Sequence, residues 1–264
     1  MSEALFAIPS KGRLKEECLM LLARAGLAVT PPAERAYETL IEGLPGVRVV
    51  LVSAGEIAER MGRGEFHAGI TGEDVLREAL GALGGAERHD DVQTVGADGP
   101  VRACRLGFGP ARLVVAAPEA WLDCETMEDV REIAGEIRLR QKRPLRVATK
   151  YVRLTRSFFA RHLVADYRIQ LSTGATEAAP ASGLADLIVD ITTSGATLRD
   201  NRLRILADGE IFASEACLFL APRDSGLAPA PGIARLVRAL CAACDCPANA
   251  DAALAAAGLL GAPD

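Results

Sequence analysis

The chain has 264 residues, 50% of them hydrophobic and 25% charged, which fits one to two globular domains and argues against a disordered chain. Thirty-five acidic against thirty basic side chains give a net charge of -5, and only 4% of residues are aromatic, so neither non-specific nucleic-acid binding nor a base-stacking platform is expected. No stretch approaches the ~18 apolar residues of a membrane span, and with no export signal in view the seven scattered cysteines read as reduced thiols of a cytoplasmic protein without a membrane partner.

The apolar run Leu5–Pro9 predicts a buried strand. Leu14, Cys18, Leu21 and Leu22 then share one face of a helix that stops at Gly26. Strands follow at Val47–Val52 and Ala68–Thr71, backed by helices at Gly55–Met61 and Asp74–Leu80. Residues 81–105 are rich in Gly, Asp and Arg and break the alternation, and the hinge-like Gly107-Phe108-Gly109-Pro110 comes next. Beyond it the strands are Arg112–Ala117, Leu145–Thr149, Ile169–Leu171 and Leu187–Ile191, with helices at Met127–Ile137 and Thr155–Leu163. Leu203–Leu206 and Ala216–Leu220 are further strands, and Ile233–Cys244 has helical spacing. This alternation predicts an α/β fold with mainly parallel sheets. The expected division is a first lobe over 1–107 and 208–225, a second over 108–207, and a helical Ala- and Pro-rich tail over 226–264. The tail has no strand of its own, so it predicts no separate regulatory domain.

Parallel α/β sheets bind ligands at the carboxyl ends of their strands. Those ends lead here into Ser10-Lys11-Gly12-Arg13, Gly72-Glu73-Asp74, Lys150-Tyr151 and Thr192-Thr193-Ser194-Gly195-Ala196-Thr197. Any one such loop also reads as a helix cap. Four together, two of them cationic, point to a phosphorylated substrate. The most informative motif is Asp190-Ile191-Thr192-Thr193-Ser194-Gly195-Ala196-Thr197-Leu198: a carboxylate at a strand end, then hydroxyls and a glycine before a helix. Unpaired N–H groups and hydroxyls at such a start can hold a phosphate. The loop has no lysine, which excludes a P-loop NTPase. An acidic residue leading such a loop reads as a phosphoribosyl diphosphate site.

These motifs, with Arg146-Val147-Ala148-Thr149-Lys150-Tyr151, Glu177-Ala178-Ala179-Pro180 and Gly183-Leu184-Ala185-Asp186, occur in an order that resembles the ATP phosphoribosyltransferase family over roughly residues 4–220. The resemblance implies two α/β lobes like those of type II periplasmic binding proteins, with an active-site cleft between them. It implies a reaction that joins N1 of ATP to C1′ of phosphoribosyl diphosphate, releasing pyrophosphate, with Mg²⁺ bound to the substrate. Carried over residue by residue, Thr193, Ser194, Gly195, Ala196 and Thr197 would hold the 5′-phosphate. Asp190 and Glu177, the latter after Gly174, would face the ribose. Lys11 and Arg13 would meet the diphosphate, Arg35 would share that task, and Gly72, Glu73 and Asp74 would lie near the nucleotide. Each also has a plain structural reading: Arg13 as an exposed helix-start residue, Glu73, Asp74 and Glu177 as helix N-terminal carboxylates, Lys150-Tyr151 as framework. Ala175 stands where many members carry Ser.

With so short a tail the sequence resembles the short form of the family. That implies a homodimer joined to a histidyl-tRNA-synthetase-like regulatory subunit. Cys241-Ala242-Ala243-Cys244-Asp245-Cys246 is read as three cysteines at and beyond the end of a tail helix rather than as a metal site. A structural zinc wants four convergent ligands, and His67, His89 and His162 are remote in sequence. The competing reading of the whole chain is a two-lobed binding module that traps a small ligand without catalysis.

Overall fold

The computed structural model describes residues 3–30, 37–81, 93–95, 98–172 and 174–260. Two compact units emerge, one from residues 1–109 with 215–264 and one from 110–214.

The first unit is built on a seven-stranded sheet. Its interior strand β1 (Ala4–Pro9) pairs in parallel with β3 (Val47–Val52) and β4 (Ala68–Gly72), and β2 (Glu38–Leu40) runs antiparallel along the outer edge of β3. On the other side β12 (Ala216–Leu220) is inserted antiparallel between β4 and β6 (Val101–Arg105), and the two-residue β5 (Gln93–Thr94) closes the order. Ala4, Phe6, Ala7 and Ile8 are all solvent-inaccessible, because both faces of β1 are covered. One face packs Phe6, Ile8, Val49 and Leu218 against α1 (Gly12–Arg24), α7 (Pro231–Ala243) and α8 (Ala248–Ala256). The other packs Ala7, Val50 and Phe219 against α2 (Ala54–Gly62) and α3 (Glu73–Leu80). The helical tail is thus a layer of this core. Gly232 makes the approach possible, since a Cβ there would meet Val47 Cγ2 at 2.6 Å.

The second unit carries a five-stranded sheet in the order β11-β7-β10-β8-β9. β7 (Ala111–Pro118) pairs antiparallel with both β10 (Leu187–Thr192) and β11 (Leu203–Ser214), whereas β8 (Leu145–Thr149) runs parallel to β10 and to β9 (Tyr167–Leu171). Helix α4 (Met127–Gln141) starts with a capping box between Thr126 and Asp129, and α5 (Val152–Arg161) follows β8. Asp186 anchors the entry to β10. Its carboxylate accepts from Arg143 Nη1 at 2.5 Å, Arg146 Nη2 at 2.9 Å and the Arg146 N–H at 2.8 Å.

Two expectations differ from what is observed. The sheets are mixed rather than mainly parallel, because β12 and β7 each enter the middle of a sheet antiparallel to a neighbour. The return to the first unit falls at 214–215 rather than at Asp208-Gly209. Those two residues sit at a bulge inside β11, where the pairing register with β7 shifts between Ile205 and Glu210. The helical tail, whose docking the sequence leaves open, packs into the first unit through Ile233, Leu236, Val237 and Leu240. Among the described residues no helix is long and apolar enough to cross a membrane.

Candidate active site

β10 delivers Asp190 and Thr192 to the carboxyl end of the second unit's sheet, and residues 193–195 turn the chain into α6 (Ala196–Asp200). The turn is held by its own side chains. Thr192 Oγ1 accepts from the Gly195 N–H at 2.9 Å, and Ser194 Oγ accepts from the Ala196 N–H at 3.3 Å. Thr193 Oγ1 donates to the Pro110 carbonyl at 3.2 Å, and Arg199 Nη1 to the Ser194 carbonyl at 3.1 Å. Gly195 adopts φ +74°, left-handed backbone that strains an L side chain. A five-residue helix carries little macrodipole, so what this turn offers a ligand is its individual N–H and O–H groups.

This loop borders a cavity of about 320 Å³, at the lower end of the usual range for ligand pockets, roughly 300–1,000 Å³. Glu177, Asp190, Thr193, Ser194 and Thr197, which the sequence reading assigned to one ligand, all line it. Burial raises the Asp190 carboxyl above its ordinary value and neighbouring Glu177 adds to this, while the Ile191 N–H at 2.8 Å and the charge of Lys150 pull the other way. Ala196 opens α6 with its N–H held by Ser194. Gly174 lies outside the lining, just before the turn at Thr176–Ala178, where its carbonyl accepts the Thr176 N–H at 2.7 Å. Open space around Gly174 leaves room for a larger side chain.

Three residues escaped the sequence reading of this site or were left there as framework. Thr192 shapes the loop, Arg199 clamps it, and Lys150, with its ammonium 5.1 Å from the Tyr151 ring centroid, sets the field at Asp190. Lys150 had a visible signal, since it directly follows β8 as Ser10-Lys11 follows β1.

In the first unit, Lys11 and Arg13 stand on the surface at the start of α1. The Arg13 side chain is 82% exposed, with Nε 2.9 Å from Glu17 Oε1. Arg35 lies outside the described residues. Gly72 caps α3 through backbone alone. Glu73 and Asp74 are buried at the start of α3. Glu73 is fully buried and carries Arg77 at 2.8 Å, Arg102 at 2.8 Å and Arg105 at 3.1 Å. The Glu73 carboxylate is thus tied into a buried ion-pair network of three guanidinium groups.

A sequence profile described as HisG: ATP phosphoribosyltransferase matches residues 53–241. The ATP phosphoribosyltransferase of Mesorhizobium japonicum is 52% identical over 217 residues, which make up 80% of this chain and 87% of that protein. The Agrobacterium fabrum relative is 47% identical over 238 residues, covering 88% of this chain and 97% of its own. The Caulobacter vibrioides relative is longer: 54% identity covers 81% of this chain but 63% of that protein. Among solved structures, the ATP phosphoribosyl transferase (HisG:HisZ) complex from Thermotoga maritima shares the fold with a TM-score of 0.64 at 24% identity, covering 92% of this chain and 98% of that one. A hydroxyl loop beside paired carboxylates, carried on a sequence half identical to these relatives, leads to one assignment: the chain belongs to the ATP phosphoribosyltransferase family, pentosyltransferases that join ATP to phosphoribosyl diphosphate in the first step of histidine biosynthesis.

Proposed function

We propose that phosphoribosyl diphosphate occupies the cavity of the second unit, with its 5′-phosphate on residues 193–197 and its ribose hydroxyls at Asp190 and Glu177. The observation that carries this is the convergence of two carboxylates and four hydroxylated residues, Thr192, Thr193, Ser194 and Thr197, on one cavity. Neutral donors suit a phosphate that is bound and released unchanged. The carboxylates suit ribose hydroxyls, and they suit the positive charge that grows on the ribose ring as the C1′–O bond breaks. Because Thr192 and Ser194 hold the Gly195 and Ala196 N–H groups, an arriving phosphate exchanges with loop hydroxyls as acceptor. Ser194 then turns from accepting to donating.

N1 of the adenine ring attacks C1′ and the diphosphate departs as pyrophosphate. That nitrogen carries a lone pair and needs no proton removed, so positioning and electrostatics suffice. Lys11 and Arg13 are assigned to the leaving diphosphate, where a guanidinium gains most as negative charge develops. Mg²⁺ enters with the diphosphate as part of the substrate. Its preference for oxygen ligands agrees with the carboxylates and hydroxyls of the cavity.

By its resemblance to the short form, the chain acts as a homodimer within a hetero-oligomer that includes a synthetase-like regulatory subunit. A light-scattering mass that stays unchanged when that subunit is added would count against it. The reaction itself is tested by pyrophosphate release from ATP and phosphoribosyl diphosphate with Mg²⁺, with the product identified by mass. Product formation that collapses in Ser194→Ala and Asp190→Asn supports the assigned cavity. Full activity in both variants overturns it.

A further inference from the structure

The sulfur cluster at the end of α7 lies outside everything the transferase reaction uses. Cys104 stands on β6, Cys241 in the last turn of α7, Cys244 at its C-cap and Cys246 two residues beyond. Cys241 Sγ lies 3.7 Å from Cys104 Sγ, and the sulfurs of Cys104, Cys241 and Cys246 are all within 4.8 Å of one another. Cys244, at the C-cap of α7, is carried by the same turn between Cys241 and Cys246. The fourth ligand missing from the C-x-x-C-x-C run thus comes from a strand 137 residues upstream of Cys241.

The backbone is shaped to make this convergence. Cys246 N–H bonds the Cys241 carbonyl at 2.9 Å, and Asp245 N–H bonds the Ala242 carbonyl at 3.3 Å, the double closure of a Schellman turn. The left-handed residue of such a turn is usually glycine, but here it is Asp245, with φ 58°. The turn folds Cys246 back onto Cys241 instead of releasing it to solvent.

The spacing fits a metal better than a disulfide. Four sulfurs at about 2.3 Å from a central ion form a tetrahedron with edges of about 3.8 Å. The 3.7 Å between Cys104 and Cys241 is already such an edge, while a disulfide would need about 2.05 Å. Cys104 and Cys241 are buried and Cys244 and Cys246 half-buried, which leaves an entry path from one side. Four thiolates around a divalent cation carry two net negative charges. Arg24, the last residue of α1, supplies a compensating positive charge near Cys244.

We propose that Cys104, Cys241, Cys244 and Cys246 form a structural thiolate site for a soft divalent cation of the Zn²⁺ class, which fastens the end of α7 to β6. The site is distinct in chemistry from the Mg²⁺ that travels with substrate: sulfur ligands select the softer ion. Binding displaces the thiol protons to solvent and involves no change of oxidation state.

The full chain, reduced and stripped with a chelator, is titrated with Co²⁺ as the spectroscopic probe. One Co²⁺ per chain is expected, with a thiolate-to-metal charge-transfer band and the visible bands of tetrahedral cobalt, all displaced by equimolar Zn²⁺. Cys244→Ser and Cys246→Ser alter half-exposed positions and leave the fold intact by circular dichroism. Each is expected to weaken Co²⁺ about tenfold or more and to lose part of the charge-transfer intensity. Zn²⁺ raises the Tm of the parent chain and not of these variants. Absence of a charge-transfer band in the reduced parent overturns the proposal. So do bands unchanged in Cys246→Ser, or a Cys104–Cys241 disulfide formed on oxidation in a chain that takes up no Co²⁺ when reduced.

Discussion

Arg102, on β6, places its guanidinium 2.8 Å from the carboxylate of Glu73 at the start of α3, and neither side chain is more than 2% exposed. Arg77 and Arg105 reach the same carboxylate, and Arg105 continues to Glu215 at 3.2 Å. This buried network ties α3, β6 and the segment that leads into β12 together. Removing a buried partner strands the charges left behind at a cost of about 3–5 kcal/mol. Glu73→Ala is therefore expected to lower stability by that order in urea denaturation. Its folded fraction should keep the parent KM for ATP. A raised KM with unchanged stability would place Glu73 at the nucleotide site.

Arg13 presents the opposite case. Its side chain is mostly in solvent, and an exposed i,i+4 pair such as that with Glu17 contributes only about 0.3–0.5 kcal/mol. Arg13→Ala should unfold at nearly the same urea concentration as the parent while losing pyrophosphate release by about a hundredfold, or about 2.7 kcal/mol of transition-state stabilisation. Equal losses of activity and folded protein would return Arg13 to a structural role.

Asp190 must be ionised to serve ribose hydroxyls or an oxocarbenium-like ribose. Burial and Glu177 raise its carboxyl, so the charged form is lost as pH falls at a higher pH than for an exposed aspartate. The acid limb of kcat/KM for phosphoribosyl diphosphate should follow that titration. Asp190→Asn should flatten the limb and lower the maximum about tenfold or more, while raising Tm, because an unfavourably buried charge has been removed. A parallel acid limb in the variant would exclude Asp190 as its source.

Gly195→Ala tests the turn itself. A Cβ at φ +74° would also sit 3.1 Å from Arg199 Nη1, and left-handed backbone costs about 1–2 kcal/mol for an L residue. We expect weaker binding of phosphoribosyl diphosphate by isothermal titration, with a small loss of Tm. Unchanged affinity would separate the turn from the phosphate.

Asp186 offers a check on stability at low pH. Its bonds to Arg143 and Arg146 outweigh its burial and bring the carboxyl to about 2, below the ordinary 3.8. A lowered folded-state value means that its contribution is complete above about pH 4 and disappears as pH falls through about 2. With allowance for solvent screening this is about 1–2 kcal/mol. Asp186→Asn should lose that increment at pH 7 and show a shallower decline of unfolding free energy between pH 4 and 2.

Much of this architecture could be read from residue order. Val47–Val52, Leu145–Thr149 and Ala216–Leu220 match their predicted limits, because short apolar runs closed by polar turns have few other conformations. The hydroxyl loop after Asp190 was legible for the same reason. β6 was not: Val101-Arg102-Ala103-Cys104-Arg105 reads as part of a charged connection, and Arg102 is buried only because Glu73 waits for it 29 positions earlier. That same pairing makes Glu73 look like a ligand group in sequence while it lies in the interior. Periodicity likewise reports that β12 is a strand but not that it runs antiparallel between β4 and β6, since its neighbours are chosen by long-range contacts. Cys104 and Cys241 show the limit most plainly. Cys104 reads as a small apolar residue in its own segment and Cys241 as one of three cysteines at a helix end, and the cluster exists only after both are in place.

The insertion of β12 also sets an order of events during synthesis. The second unit is a single stretch, 110–214, and its sheet has every strand before β12 has left the ribosome. The first unit begins earlier but cannot finish, because β4 and β6 face an empty slot until residues 216–220 arrive, and α7 and α8 must then cover the sheet. The half of the protein made first is thus the half completed last. Until then its nascent chain exposes two unpaired strand edges and an uncovered apolar face, the surfaces that chaperones recognise.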